Sequence, residues 1–216
     1  MTQSDHDRKE FFNNIASRWD EMRASFFSEP VREKAYAAAG IQAGQLAADV
    51  GAGTGFITEG LLRRGLRVIS IDQSQAMLAE LRRKFVSPNL ETRWGLAENL
   101  PLDSGSVDAV FANMYLHHVE QPARALQEMA RLLKSGGRLV ITDLDEHQFE
   151  FLRSEQYDRW LGFSRQDVRA WLQAAGLEQV TVDCLGENCC ATSGDHAQAA
   201  SVSIFIACGV KGQAAD

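Results

Sequence analysis

From Leu46 to Gly176 the chain alternates short apolar runs with amphipathic ones, a rhythm that implies a parallel sheet with helices on both faces. "LAADV" reads as a first strand, "FITEGLLRRG" as a helix stopped at Gly65, and "LRVISID" as a second strand. "SQAMLAELRRKF" follows as a helix with Ser74 at its N-cap. "LETRW", "VDAVFANM" and "RLVITDL" supply three more strands. "ARALQEMARLLKSGG", ending on paired glycines, and "SRQDVRAWLQAAG", opened by Ser164 and Asp167, supply two more helices. Beyond Gly176 the rhythm breaks. "LEQVTVDCL" and "ASVSIFIACGV" are strands with no helix between them, only a predicted loop from about Gly186 to Ala200. Strands joined without a crossover helix are expected to run antiparallel, so the sheet should end in a hairpin that ordinary dinucleotide-binding folds lack. Ahead of the sheet, "FFNNIASRWDEMRASFF" and "PVREKAYAAAG" read as helical. The expected organisation is a single domain, with a helical cap or lid over residues 1–45 and a ligand-binding core over residues 46–212.

The loop after the first strand, "DVGAGTGF", asks for a ligand laid against bare main chain. A dinucleotide fingerprint would read G-x-G-x-x-G. Gly51 and Gly53 fit it, but position 56 is Phe and the third glycine arrives one residue early, as Gly55. Asp49 adds a carboxylate inside the crevice, which repels a pyrophosphate and attracts an ammonium group. Asp72 closes the second strand, where a carboxylate can accept both hydroxyls of a ribose.

Composition narrows the partner. With 216 residues, 45% of them hydrophobic, the chain can bury one sizeable core. A net charge of −7 and a pI near 5.3 argue against nucleic acid, whose phosphates need clustered Lys and Arg. No apolar stretch approaches the roughly 18 residues of a membrane span. The start, "MTQSDHDRKEFF", lacks the order of a secretory signal, and four cysteines without C-x-x-C spacing suggest a reducing compartment. The expectation is a cytoplasmic protein acting on a small molecule, without nucleic acid or membrane.

Taken in order, "DVGAGTGF", "IDQSQAML", "GLAENLPLDSGSVDAVFANMYLHHV" and "EMARLLKSGGRLVITD" resemble a class I S-adenosylmethionine-dependent methyltransferase over roughly residues 46–143. The resemblance implies an α/β, Rossmann-like fold with a seven-stranded, mostly parallel sheet whose last strand is antiparallel. It implies S-adenosyl-L-methionine as cofactor and S-adenosyl-L-homocysteine as product. The methionine end of the cofactor would lie on Asp49, Gly51, Ala52 and Gly53, the ribose on Asp72, and the adenine between Gln73 and Met77. Ala97 would offer a backbone amide to the adenine edge, and Asn113 would line the cofactor. The family commonly carries Asp before the position of Ala97; this chain has Leu96 there. A glycine pattern without the dinucleotide spacing suits such a ligand, which has a zwitterionic tail and no phosphates.

Methyl transfer from a sulfonium is an in-line displacement, so alignment of acceptor and methyl matters most, and a base matters only for a protonated acceptor. His117 and His118 follow the fourth strand directly and are the candidates to orient or deprotonate the acceptor, one of the two being expected to face the cleft; Tyr115 is a candidate wall. "DLDEHQFEFLRSEQYDRWLGFSRQDVRAWLQAAGLEQV" is similar to a segment of methyltransferase domains related to arsenic-responsive repressors. Within it, Asp143, Asp145 and His147 either bind a metal or satisfy their own loop backbone. "CLGENCC" places Cys184, Cys189 and Cys190 within seven residues, a candidate set for a thiophilic metalloid such as arsenite. The alternative is that Cys184 and Cys208 fill strands while Cys189 and Cys190 ride a loop. The leading expectation is therefore a small-molecule methyltransferase, with thiol or metalloid methylation and a non-catalytic sensor as alternatives.

Overall fold

The computed structural model describes residues 10–213; residues 1–9 of the expected cap lie outside the described residues. Its sheet is built on β1 (Leu46–Val50), whose residues after Leu46 are all buried, as a central strand covered on both faces must be. β2 (Arg67–Asp72) and β3 (Leu90–Trp94) extend the sheet on one side of β1, β4 (Val107–Asn113) and β5 (Leu133–Leu144) on the other, all parallel. β6 (Leu177–Thr192) and β7 (Ala199–Lys211) complete the order β3-β2-β1-β4-β5-β7-β6. β7 runs antiparallel to both of its neighbours, from Leu144↔Ile204 to Arg138↔Val210 against β5. The expected seven-stranded sheet with a terminal antiparallel hairpin is thus the observed one.

Period-two alternation divides the core between the two faces of the sheet. Val110, Leu139 and Phe205 belong to the cluster covered by α5 (Pro122–Leu132) and α7 (Arg165–Ala174). Their neighbours Phe111, Val140 and Ile204 belong to the cluster covered by α2 (Glu29–Ala39) and α3 (Phe56–Arg63). α1 (Trp19–Phe26), after helical residues 10–15 and a 3-10 turn over Ala16–Arg18, lies over the strand ends; α4 (Gln75–Lys84) and the short α6 (Phe151–Glu155) complete the described helices. Ser74 and Ser164 cap their helices as expected, accepting from Met77 N and Asp167 N, each at 3.1 Å. Among the described residues, no helix is long and apolar enough to cross a membrane.

Two boundaries differ from the sequence reading. The helix expected to end on paired glycines ends at Leu132, and Gly136 and Gly137 lie inside β5. The chain turns early because Leu133 is buried and pairs with Val107. The long loop expected from Gly186 to Ala200 shrinks to residues 193–198. β6 continues past a register shift between Cys184 and Asn188, since Cys189 and Ala191 pack against Leu144, Leu152 and Val202. Cys189 and Cys190 are therefore strand residues, paired with Val202 and Ser201.

Phe205, fully buried on β7, joins the inserted strand to the rest of the core. Phe205→Ala is expected to destabilise the fold by about 3–5 kcal/mol in urea unfolding, the usual cost of a large buried cavity; a loss under about 1 kcal/mol would contradict this packing.

Candidate functional site

β1, β2 and β4 end on one edge of the sheet, and strand order reverses at β1, where β2 leaves on one side and β4 on the other. Ligands of open parallel sheets bind at such a switch point. A cleft opens there. Asp49, Gly51, Ala52, Gly53, Asp72, Gln73, Met77 and Asn113 all line it. Leu96 and Ala97 do not: Leu96 is 39% exposed and Ala97 is enclosed in the core beside Leu100 and Ile71. The turn after β3 is fixed by Gly95 N donating to Asp72 O (3.2 Å) and Asn99 N to Leu96 O (3.0 Å).

The glycines divide their work. Gly51 N and Ala52 N donate to Ile71 O at 2.8 and 3.1 Å, tying the loop to β2. Gly51 has φ +70, and a Cβ there would meet the Tyr115 ring at 2.1 Å, so the ring lies directly on its main chain. Gly55, at φ +97, is the N-cap of α3, and a Cβ there would strike Phe85 at 2.7 Å. The third glycine thus serves contact between helices, while the first makes room for the Tyr115 ring.

Two carboxylates stand at the base. Asp49 is 1% exposed, and its Oδ2 accepts from Thr58 N (3.0 Å) and Thr58 Oγ1 (2.6 Å). Burial pushes its carboxyl up to about 7, against the lowering effect of the Thr58 hydrogen bonds. Asp72 accepts from Ser74 N and Gly53 N, both at 2.8 Å, and burial likewise raises it above the usual carboxylate range. A cationic ligand relieves both groups.

The roof comes from the cap. Phe12, Trp19, Arg23 and Phe27 line the same cleft. The Arg23 guanidinium stacks 4.1 Å from the Phe56 ring centre, and its Nε is buried without a hydrogen-bond partner. Burial lowers the affinity of Arg23 for its proton, partly countered by Asp20 and Glu29. Sequence reading missed this residue, although its place one turn after Trp19 puts the two on one face of α1. Asp20 straps the helix down, accepting from Thr54 Oγ1 (2.7 Å) in the glycine loop and from Lys84 Nζ (2.5 Å).

A second chamber adjoins the first and shares Phe12, Trp19, Phe27, Met114 and His118 with it. Its walls are mostly apolar, with Phe26, Leu144, Leu152 and Cys189 among them; His117, His118 and Asp158 form a polar group. Both histidines line it, and of the two only His118 also lines the first cleft; the 3-10 turn over Leu116–His118 brings their ring centres within 4.1 Å. His117 Nδ1 lies 2.6 Å from Asp143 Oδ1, and the same carboxylate accepts from the backbone N–H groups of Tyr115, Leu116 and Leu144. Nδ1 is thus the donor, and Nε2 faces Asp158 Oδ1 at 3.6 Å. Asp158 was not foreseen. It is brought in by a segment whose Arg159 and Trp160 N–H groups both donate to His117 O at 3.0 Å.

The other candidate ligand sets separate. Asp145 pairs with Arg165 at 2.6 Å and with Ser203, while His147 Nδ1 accepts from Phe149 N. Cys184 and Cys190 are exposed, and only Cys189 enters the chamber. Burial first, then the Asp158 carboxylate, pushes the Cys189 thiol up to about 12. The three thiols do not converge, because Cys189 and Cys190 point to opposite faces of β6.

A family model described as a methyltransferase domain matches residues 48–141. A demethylmenaquinone methyltransferase of Thermobifida fusca is 35% identical over 167 residues, covering 74% of this chain and 69% of that one. An uncharacterized methyltransferase of Mycobacterium tuberculosis is 39% identical over 139 residues, 64% of this chain, and the match spans about half, 54%, of the relative's length. In a solved complex with the Haloferax volcanii Trm112 methyltransferase activator, the putative methyltransferase shares the fold. Its TM-score is 0.75 at 21% identity, over 94% of this chain and 98% of that one.

Because Asp49 holds its proton more tightly when folded, its contribution to stability is complete below pH 3.8, its ordinary pKa, and is lost as pH rises to about 7. Asp49→Asn should remove that slope and stabilise the ligand-free chain at about pH 8 by an amount on the order of a few kcal/mol. Urea unfolding of both chains at about pH 5 and about pH 8 measures it; parallel pH profiles would refute it.

Proposed function

The chain belongs to the class I S-adenosylmethionine-dependent methyltransferases, and we propose that it methylates a small molecule held in the second chamber, using S-adenosyl-L-methionine bound in the first. The observation that carries this reading is the charge pattern of the first cleft: an under-partnered cation, Arg23, above two buried carboxylates, Asp49 and Asp72. That pattern complements a zwitterionic amino acid joined to a ribose. Arg23 holds the carboxylate, Asp49 the ammonium and Asp72 the ribose hydroxyls, with the adenine against Gln73 and Met77 and the chain lying on Gly51, Ala52 and Gly53. Asn113 and Tyr115 close the side toward the acceptor. The main-chain amide of Ala97 reaches the adenine edge only if the turn around Leu96 moves inward.

Bound there, the cofactor supplies a methyl group already attached to its leaving group. What remains for the protein is positioning and the exclusion of water. The cap does both: α1, strapped to the glycine loop through Asp20, closes aromatic side chains over the two chambers and acts as the lid of the single domain. His118, a wall of both chambers, stands where they meet, and His117 and Asp158 hold the acceptor's reactive atom toward it. An apolar chamber with one polar end fits a compact, ring-like or aliphatic body carrying a single nucleophilic heteroatom. The relative named as a demethylmenaquinone methyltransferase supports a small-molecule acceptor. The four free cysteines support a reducing compartment, the cytoplasm. No observation favours arsenite capture by Cys184, Cys189 and Cys190, or a non-catalytic sensor.

S-adenosyl-L-homocysteine should raise the melting temperature, and NAD should not, because only a native-state ligand stabilises by mass action. Arg23→Met is expected to weaken that ligand at least about tenfold, in keeping with loss of a charge-assisted contact. A screen of small phenols, thiols and amines for radiolabelled methyl incorporation identifies the acceptor. With it, His117→Ala, whose side chain lines the second chamber and not the first, should lower kcat by about 10²-fold or more and leave S-adenosyl-L-homocysteine affinity unchanged. No thermal shift with the product and no turnover on any acceptor would sink the reading.

A further inference from the structure

We propose that His117, His118 and Asp158 hold a divalent transition-metal ion of the zinc class at the polar end of the second chamber, where it binds the acceptor's nucleophilic atom. This rests on the reading of that chamber as the acceptor site. One ligand atom from each of the three residues lies within 4.8 Å of the others. Ligands about 2.1 Å from a tetrahedral ion stand about 3.4 Å apart. His117 Nε2 and His118 Nδ1 lie 3.6 and 3.9 Å from Asp158 Oδ1, so those two pairs need to close by only a few tenths of an ångström. The two histidines must close from within 4.8 Å, and His118 Nδ1 must exchange its contact with Tyr157 O at 3.4 Å for the ion.

The surroundings are those of a built site. The three side chains are 6%, 10% and 4% exposed, in a chamber whose other walls are mainly apolar. His117 turns its other nitrogen to Asp143 at 2.6 Å, and Asp143 is in turn locked by three backbone N–H groups. A metal-bound histidine is characteristically oriented by such a carboxylate behind it. Two imidazoles and one carboxylate form a set of intermediate softness, suited to zinc, cobalt or iron in the divalent state. Among the described residues three ligands converge, the number that a catalytic rather than a structural ion takes from the protein. Cys189, in the same chamber, is not part of the group.

The consequence is an acceptor that binds the ion as a phenolate or thiolate. On coordination its O–H or S–H proton passes to water and the lone pair stays on the oxygen or sulfur. That atom then forms the new bond to carbon as the carbon–sulfur bond of the sulfonium breaks, leaving a neutral thioether and a methylated acceptor that binds the ion weakly.

The test uses the whole chain, stripped with a chelator and titrated with Zn2+ by calorimetry and with Co2+ by visible absorption. One equivalent per chain is expected, with absorption bands of a low-coordinate cobalt site. His118→Ala and Asp158→Asn should abolish uptake, Asp143→Asn should weaken it 10–100-fold, and the double variant Cys184→Ser, Cys190→Ser should leave it unchanged. The thermal shift with S-adenosyl-L-homocysteine serves as the control for folding; should Asp158→Asn fail to fold, His118→Ala decides. A chain that shows that shift but takes up neither ion, or binds them equally well in His118→Ala, overturns the metal inference alone. Loss of the shift itself overturns the proposed function.

Discussion

The molecule is organised around the carboxyl edge of β1, where parallel strands depart to either side and leave a crevice that no side chain of the sheet fills. Helices cover both faces of the sheet, so this edge is where a ligand can touch the ends of several strands at once. β1 brings Asp49, β2 brings Asp72 and β4 brings Asn113 to it. Asp49 and Asp72 are buried at a cost visible in their raised proton affinity. The fold carries that cost at the one place where a cationic, hydroxyl-bearing ligand would repay it.

The cap turns an open crevice into two connected rooms. Phe12, Trp19 and Phe27 are walls of both, so a small shift of α1 changes the two volumes together. The strap from Asp20 to Thr54 and Lys84 runs from the cap to the loop that bears the glycines. On the proposed reading, the strap joins the cofactor's loop at Gly53 to the cap over the acceptor, a physical route to excluding water when both sites are filled.

Much of this was legible beforehand. Strand and helix order followed from apolar periodicity, and the hairpin followed from the missing crossover helix. The carboxylates Asp49 and Asp72 stood out by their positions at strand ends. The misses share a cause. α5 was read too long because "LLKSGG" is as good a helix end as a strand start, and only the pairing of Leu133 with Val107 decides between them. The Gly186–Ala200 region was read as a loop because its polar residues face solvent, while Cys189 and Ala191 find a local core only after the chain folds back.

By itself the sequence determined what depends on local pattern: a parallel sheet, an antiparallel last strand, a bared main chain after β1, and carboxylates at the ends of β1 and β2. Tertiary structure alone decided which distant residues meet. Arg23 reaches the cleft from a separate helix, Asp143 fixes the His117 ring from the next strand, and Asp158 arrives from a segment about forty residues beyond His118. The three cysteines that sit together in sequence end on opposite faces of β6. Periodicity records which way each residue points within its own element; convergence of side chains depends on how elements pack, and no short stretch of sequence carries that information.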